Sequence, residues 1–222
     1  GDGSDDVLMV SSEASTGSFW NPLINNGHIE AISGATGATM WQMLGADSGS
    51  HLGSNLILVD DADGDGAMEL VSGSPLADEN GLTNNGKLVG VSGRMGGVLW
   101  TAIGDDSDAG LGFILKEIDD ADGDGVADLA TTNPGSDSGG LINNGSARSF
   151  SSATGAELWR YDGTVNDQRL GTSLVMASDV DFDGTKDVYV GTFVSDSDGL
   201  ADNGSLFCFS GGVTVPLSVS GL

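Results

Sequence analysis

Apolar residues in this chain come in short runs, each closed by glycine, asparagine or aspartate before a helix could be completed. Between residues 52 and 104 the runs are "LGSNLILVD" (52–60), "MELVSGS" (68–74), "GKLVGVS" (86–92) and "GGVLWTAIG" (96–104). Runs of this length, bounded by turn residues, read as β-strands. No helical periodicity of useful length competes with them. Glycine occupies 37 of 222 positions, and each interior glycine costs a helix about 1 kcal/mol against alanine. The pattern predicts an all-β chain built from units of four short strands.

The units recur at a fixed period of 59 residues. Trp41, Trp100 and Trp159 stand on that step, as do Leu52-Gly53, Leu111-Gly112 and Leu170-Gly171. The turn signal Asn25-Asn26-Gly27 returns as Asn84-Asn85-Gly86, Asn143-Asn144-Gly145 and Asp202-Asn203-Gly204. A repeat of four antiparallel strands at this period suits the blade of a β-propeller better than any helical solenoid. The expected organisation is a single propeller segment, residues 1–222. Residues 1–44 form a partial blade lacking its innermost strand, and complete blades cover 52–104, 111–163 and 170–222. Propellers close with about four to eight blades, so the expectation is part of a larger propeller; four blades closing with one strand missing is the alternative.

Between the first two strands of each complete unit lies an acidic loop. The loops read Asp61-x-Asp63-x-Asp65-Gly66-x-x-Glu69, Asp120-x-Asp122-x-Asp124-Gly125-x-x-Asp128 and Asp179-x-Asp181-x-Asp183-Gly184-x-x-Asp187. Carboxylates at positions 1, 3, 5 and 9, with glycine at 6 for the sharp turn, can wrap a hard cation. The backbone carbonyls of Ala67, Val126 and Thr185 at position 7 can join them. Oxygen-only ligation favours Ca²⁺ over Zn²⁺ or Mg²⁺, so three calcium sites are expected, with a partial fourth near Asp2 and Asp6. An EF-hand is excluded, because position 12 holds Ser72, Thr131 and Val190 and the flanks read as strands.

The formal charge is −26, from 33 acidic against 7 basic side chains. Such a chain is repelled by nucleic acid and by anionic lipid surfaces. No apolar run reaches the ~20 residues a membrane span needs, and the opening "GDGSDD" is no signal peptide. Cys208 is the only cysteine, so an internal disulfide is excluded. Ala31, Gly90 and Ser149 stand at its matching places, which points to a cramped interior slot.

Enzymatic signatures are sparse. His28 and His51 fall at non-equivalent repeat positions with no nucleophile motif beside them. Lys87, Arg94, Lys116, Arg148, Arg160, Arg169 and Lys186 are scattered along the chain. The first unit carries four extra residues in the loop between its second and third strands, and these bring in Phe19 and Trp20. Exposed aromatics favour recognition of a partner or a sugar; rings folded back on the sheet edge are the other reading. The sequons at Asn144 and Asn203 coincide with the turn signal, which already accounts for them.

The acidic loop with its fixed landmarks resembles the FG-GAP repeat of the integrin α-subunit propeller and its bacterial relatives. The corresponding pieces are Leu52-Gly53, the Asp61 loop and Gly73-Ser74-Pro75, then Leu111-Gly112 and the Asp120 loop. Leucine replaces phenylalanine at the "FG" positions, and Ser218 stands where a fourth tryptophan belongs. The resemblance implies a propeller with calcium in the loops; it does not transfer integrin ligand recognition. "SGATGATMW" and "SSATGAELW" also look like quinoprotein dehydrogenase repeats, but the acidic loops are foreign to that family and the tryptophans are assigned to packing between blades.

The function expected from these readings is a non-catalytic, calcium-stabilised extracellular propeller, secreted or at the cell surface, binding a protein or glycan partner. Millimolar calcium outside cells suits exposed loops of this type. A filament or surface-layer subunit, assembled from copies of itself through open strand edges, is the first alternative. A polysaccharide lyase-like propeller enzyme is the second.

Overall fold

A computed structural model describes residues 4–182, 184–194, 202–210 and 216–217. All regular structure in these residues is strand, in four antiparallel sheets and one small hairpin. The first sheet has three strands, β1 (Val7–Ser11), β4 (His28–Ile32) and β5 (Thr39–Leu44), in the order β1-β4-β5. The hairpin, β2 (Thr16–Ser18) with β3 (Asn21–Leu23), is inserted between β1 and β4.

Three four-stranded sheets follow, each pairing its strands in chain order. The second holds β6 (Asn55–Val59), β7 (Glu69–Ser74), β8 (Lys87–Val91) and β9 (Val98–Ile103). The third holds β10 (Ile114–Ile118), β11 (Asp128–Asn133), β12 (Ser146–Phe150) and β13 (Glu157–Asp162). The fourth holds β14 (Ser173–Met176), β15 (Val188–Thr192), β16 (Ser205–Phe209) and β17 (Pro216–Leu217). The position of Ser218, and with it the question of a fourth tryptophan, lies outside the described residues.

Burial explains why the apolar runs differ in pattern. Every residue of β7 and β11 is buried, because the second strand of a sheet is covered on both faces. The fourth strands β9 and β13 keep only their tryptophan fully inside. Three apolar clusters each join two consecutive sheets: Trp41 meets Leu70, Val89 and Val91; Trp100 meets Leu129 and Phe150; Trp159 meets Val188 and Phe209. Consecutive sheets therefore pack face to face through one indole each.

That indole also sets the small-residue slot. Ala31, Gly90 and Ser149 are cross-strand partners of Trp41, Trp100 and Trp159, and a β-carbon on Gly90 would fall 2.4 Å from the Trp100 ring. Cys208, at the same step, is buried and free.

Asparagines of the turn signal do more than turn. Asn25, Asn84 and Asn143 take left-handed φ values of 51°, 48° and 48°. The following residues, Asn26, Asn85 and Asn144, are fully buried. Their side-chain amides donate to the carbonyls of Gly45, Gly104 and Gly163 at 2.7, 2.8 and 2.6 Å, tying the loop after the second strand to the connection between sheets. Burial of Asn144 leaves its sequon no access for modification.

Candidate functional site

The three acidic loops occupy the turns β6–β7, β10–β11 and β14–β15, at one end of the sheets. In the first, Asp61 folds the loop around its own carboxylate. Its Oδ1 accepts from the backbone N–H of Gly64 at 2.8 Å and Asp65 at 3.1 Å, and its Oδ2 from Gly66 at 2.9 Å. Asp63 and Asp65 accept from Asp65 N–H and Ala67 N–H at 3.0 and 2.9 Å. Gly66, with φ 86°, makes the reversal. The second loop repeats every one of these bonds from Asp120, Asp122 and Asp124. In the third, Asp179 Oδ2 accepts from Gly184 N–H at 2.9 Å.

Ligand atoms of Asp61, Asp63, Asp65 and Glu69 lie within 4.8 Å of one another, as do those of Asp120, Asp122 and Asp124 and those of Asp179, Asp181 and Asp187. Each cluster has a geometry that can hold a metal ion. Asp183 and Asp2 lie outside the described residues. Asp6 is exposed and accepts from Gly34 N–H at 3.1 Å. Ala67, Val126 and Thr185 sit at the turn back into the second strand, beside the clusters.

The residues at position 9 separate the loops. Glu69 and Asp128 are buried at the first residue of β7 and β11, and Asp187 is buried immediately before β15. Burial raises the pKa of the Glu69 carboxyl; the Ala62 N–H bond opposes this, and the charges of Asp63, Asp61 and Asp65 add to it. Asp128 is raised for the same leading reason. By contrast, backbone N–H donors, Gly125 foremost, lower the pKa of Asp120. Glu69 Oε2 accepts from Ala62 N–H, while its Oε1 is buried with no hydrogen-bond partner among the described residues. In the second loop the matching oxygen, Asp128 Oδ1, accepts from Ser152 N–H at 3.2 Å. In the third loop Asp187 Oδ2 accepts from Val180 N–H while its Oδ1, like Glu69 Oε1, is buried with no hydrogen-bond partner among the described residues. An orphaned carboxylate oxygen beside clustered aspartates is what a bound cation would satisfy, so the first and third loops fit a hard divalent ion best.

The opposite end of the sheets carries a constellation that the linear spacing conceals. Arg148 and Arg160 converge on Asp105, the former at 3.3 Å. Arg148 also pairs with Glu157, and Arg160 with Asp162 at 2.6 Å. Beside them burial raises the pKa of Asp106, with the neighbouring Asp137 and Asp105 charges adding to the shift and Arg160 opposing it. Basic residues 12 apart in sequence meet because they lie on paired strands, Arg148 opposite Arg160. Phe19 and Trp20 form the tip of the β2–β3 hairpin, edge to face at 5.2 Å. They are 90% and 89% exposed and do not fold back on the sheet. No helix among the described residues is long and apolar enough to cross a membrane.

No family model matches the chain. Solved structures do. Rhamnogalacturonan Lyase PL11 of Bacillus licheniformis superposes with a TM-score of 0.53 at 20% identity, over 85% of this chain and 37% of that one. Rhamnogalacturonan lyase YesW superposes with a TM-score of 0.54 at 18% identity, over 96% of this chain and 41% of that one. This chain spans about two fifths of the length of the lyases it matches. At these identities the likeness shows a shared fold. It corrects the expectation of a protein that is not an enzyme: both matched structures are of lyases. That expectation leaned on basic residues without convergence, and Arg148 with Arg160 on Asp105 removes its support.

Proposed function

We propose that this chain is a calcium-carrying β-propeller portion of an extracellular enzyme that cleaves an acidic polysaccharide by elimination. The observation that carries the reading is the superposition of nearly the whole chain, 96% of it, on a rhamnogalacturonan lyase. Face-to-face packing of consecutive antiparallel sheets supports the assignment of each sheet as a blade. The acidic loops fit calcium through the orphaned Glu69 oxygen and the oxygen-only donor set. Asp61, Asp63, Asp65 and Glu69 would hold one ion, with their counterparts in the other loops holding two more. Calcium supplies charge neutralisation there: it fixes loops whose carboxylates otherwise repel one another. The loop pattern remains of the FG-GAP type in this reading.

Eliminative cleavage of a uronate-containing polymer leaves an unsaturated sugar that absorbs in the ultraviolet. Incubation of the calcium-loaded chain, alone and within any longer polypeptide that contains it, with rhamnogalacturonan and with neutral polymers tests the reading. Absorbance growth confined to the acidic polymer is the expected result; none with any substrate overturns it.

One observation favours a contribution from copies of the chain. β1 has no strand partner on its outer side among the described residues, and Val7 and Met9 on it are half exposed. An open, apolar edge is a template for another strand. Sedimentation across a concentration series would show association, and a monomer throughout would remove this second reading.

A further inference from the structure

We infer that the cleft shared by the second, third and fourth sheets is a binding site for an acidic sugar, with Arg169 as its carboxylate anchor. The inference rests on the enzyme reading above and names the chemistry of the ligand. Pro75, Leu76, Phe113, Pro134, Arg169 and Phe193 line a cavity of about 550 Å³, within the size range of small-ligand sites. Phe113 and Phe193 are 44% and 69% exposed. Their rings offer flat apolar surface of the kind that receives the C–H face of a pyranose.

Two charged residues line this cavity, Asp108 and Arg169. Asp108 is engaged, its Oδ1 accepting from Asn84 Nδ2 at 3.0 Å. The guanidinium of Arg169 makes no ion pair with any described residue, in a chain whose net charge is −26. Exposed, and without an ion pair among the described residues, Arg169 is available for a carboxylate brought by a ligand, which its planar fork grips through two parallel hydrogen bonds.

Backbone geometry fixes the place of Arg169. Arg169 has a φ of 51°, and Gly110, one period earlier, has 70°. Both residues donate N–H bonds to the first asparagine of the turn signal, Arg169 to Asn143 O at 2.9 Å and Gly110 to Asn84 O at 3.1 Å. His51, a further period back, has a φ of 49° and donates to Asn25 O at 3.0 Å, so the left-handed turn belongs to the repeat, and it carries the arginine at this position in the cleft.

Arg169→Gly tests the assignment, because glycine removes the guanidinium and relieves the left-handed strain together. Calorimetric titration of the calcium-loaded chain with a short oligogalacturonide, beside a neutral oligosaccharide of equal length, is expected to show binding of the acidic sugar alone. R169G is expected to bind it roughly ten-fold or more weakly, with a melting temperature no lower than that of the parent. Phe193→Ala should weaken binding as well. Unchanged affinity in R169G, equal binding of the neutral sugar, or no binding by the parent would each overturn the proposal. The enzyme reading fails separately: Arg169-dependent binding with no unsaturated product leaves the site standing without the lyase. Product formed by R169G with the parent's kcat and KM sinks the site and keeps the lyase.

Discussion

The indole Nε1 of Trp100 donates a hydrogen bond to the Ser152 carbonyl at 2.7 Å, joining the fourth strand of one sheet to the hairpin of the next. Trp41 does the same to Gly93 at 2.7 Å, one sheet earlier. Gly155 lies against the Trp100 ring, where a β-carbon would approach to 2.5 Å. Trp100→Phe keeps most of the apolar contact and orphans the carbonyl, a loss of about 1–3 kcal/mol. Trp100→Ala also empties the slot, for about 3–5 kcal/mol. Denaturant titration checks both, and a W100A variant as stable as the parent would refute the packing role.

Glu69 predicts a reversal of sign with calcium. Without metal, its buried carboxylate faces three aspartates and opposes folding, so Glu69→Gln is expected to stabilise the chelated protein. With calcium at about a hundred times its dissociation constant, binding adds about 2.7 kcal/mol to the parent, and E69Q loses part of that gain. Asp128→Asn is expected to cost less calcium affinity than E69Q, because Ser152 N–H already engages Asp128 Oδ1. Scanning calorimetry in chelator and in calcium reads both effects, and identical melting curves in the two conditions would disprove the metal sites.

The pH dependence follows from the same groups. Burial raises the folded-state pKa of Glu69 and Asp128, so each binds a proton more tightly folded than unfolded. Their contribution is full below the usual carboxylate range and is lost as pH rises through it to their raised values. Asp120, lowered by its N–H donors, acts in the opposite sense and loses its contribution as pH falls through its lowered value. Metal-free protein should therefore lose stability from Glu69 and Asp128 as pH climbs above the ordinary carboxylate range, and calcium should abolish that loss. Melting temperature against pH, with and without chelator, measures it.

Asp105 holds Arg148 and Arg160 near each other. Asp105→Ala leaves two guanidinium groups adjacent, each retaining one carboxylate partner. Because the Asp105 side chain is about half exposed, the expected cost is only about 1 kcal/mol. A double-mutant cycle with Arg160→Ala checks the coupling, which should vanish if the contact is absent in solution.

The strands and acidic loops were legible in the sequence because they depend on local pattern. Glycine and asparagine bound each strand, and the spacing of Asp61, Asp63, Asp65 and Glu69 is fixed by the turn that Gly66 permits. The period of 59 located the tryptophans before their contacts were known. What spacing alone could not separate were loops of like composition. One methylene and one N–H donor distinguish Glu69 from Asp128, and that donor, Ser152, comes from 24 residues away.

Tertiary structure alone decided the chemistry at the other end. Arg148 and Arg160 look scattered in a linear reading, since sequence separation hides cross-strand pairing, and they share Asp105 only after the third sheet forms against its neighbour. The cleft around Arg169 draws on three sheets, so no local window contains it. Sequence by itself determined strands, turns and clustered negative charge, because each is a property of neighbouring residues. The placement of cations and aromatic rings around a cavity was settled by long-range packing, which sets distances that chain order does not carry.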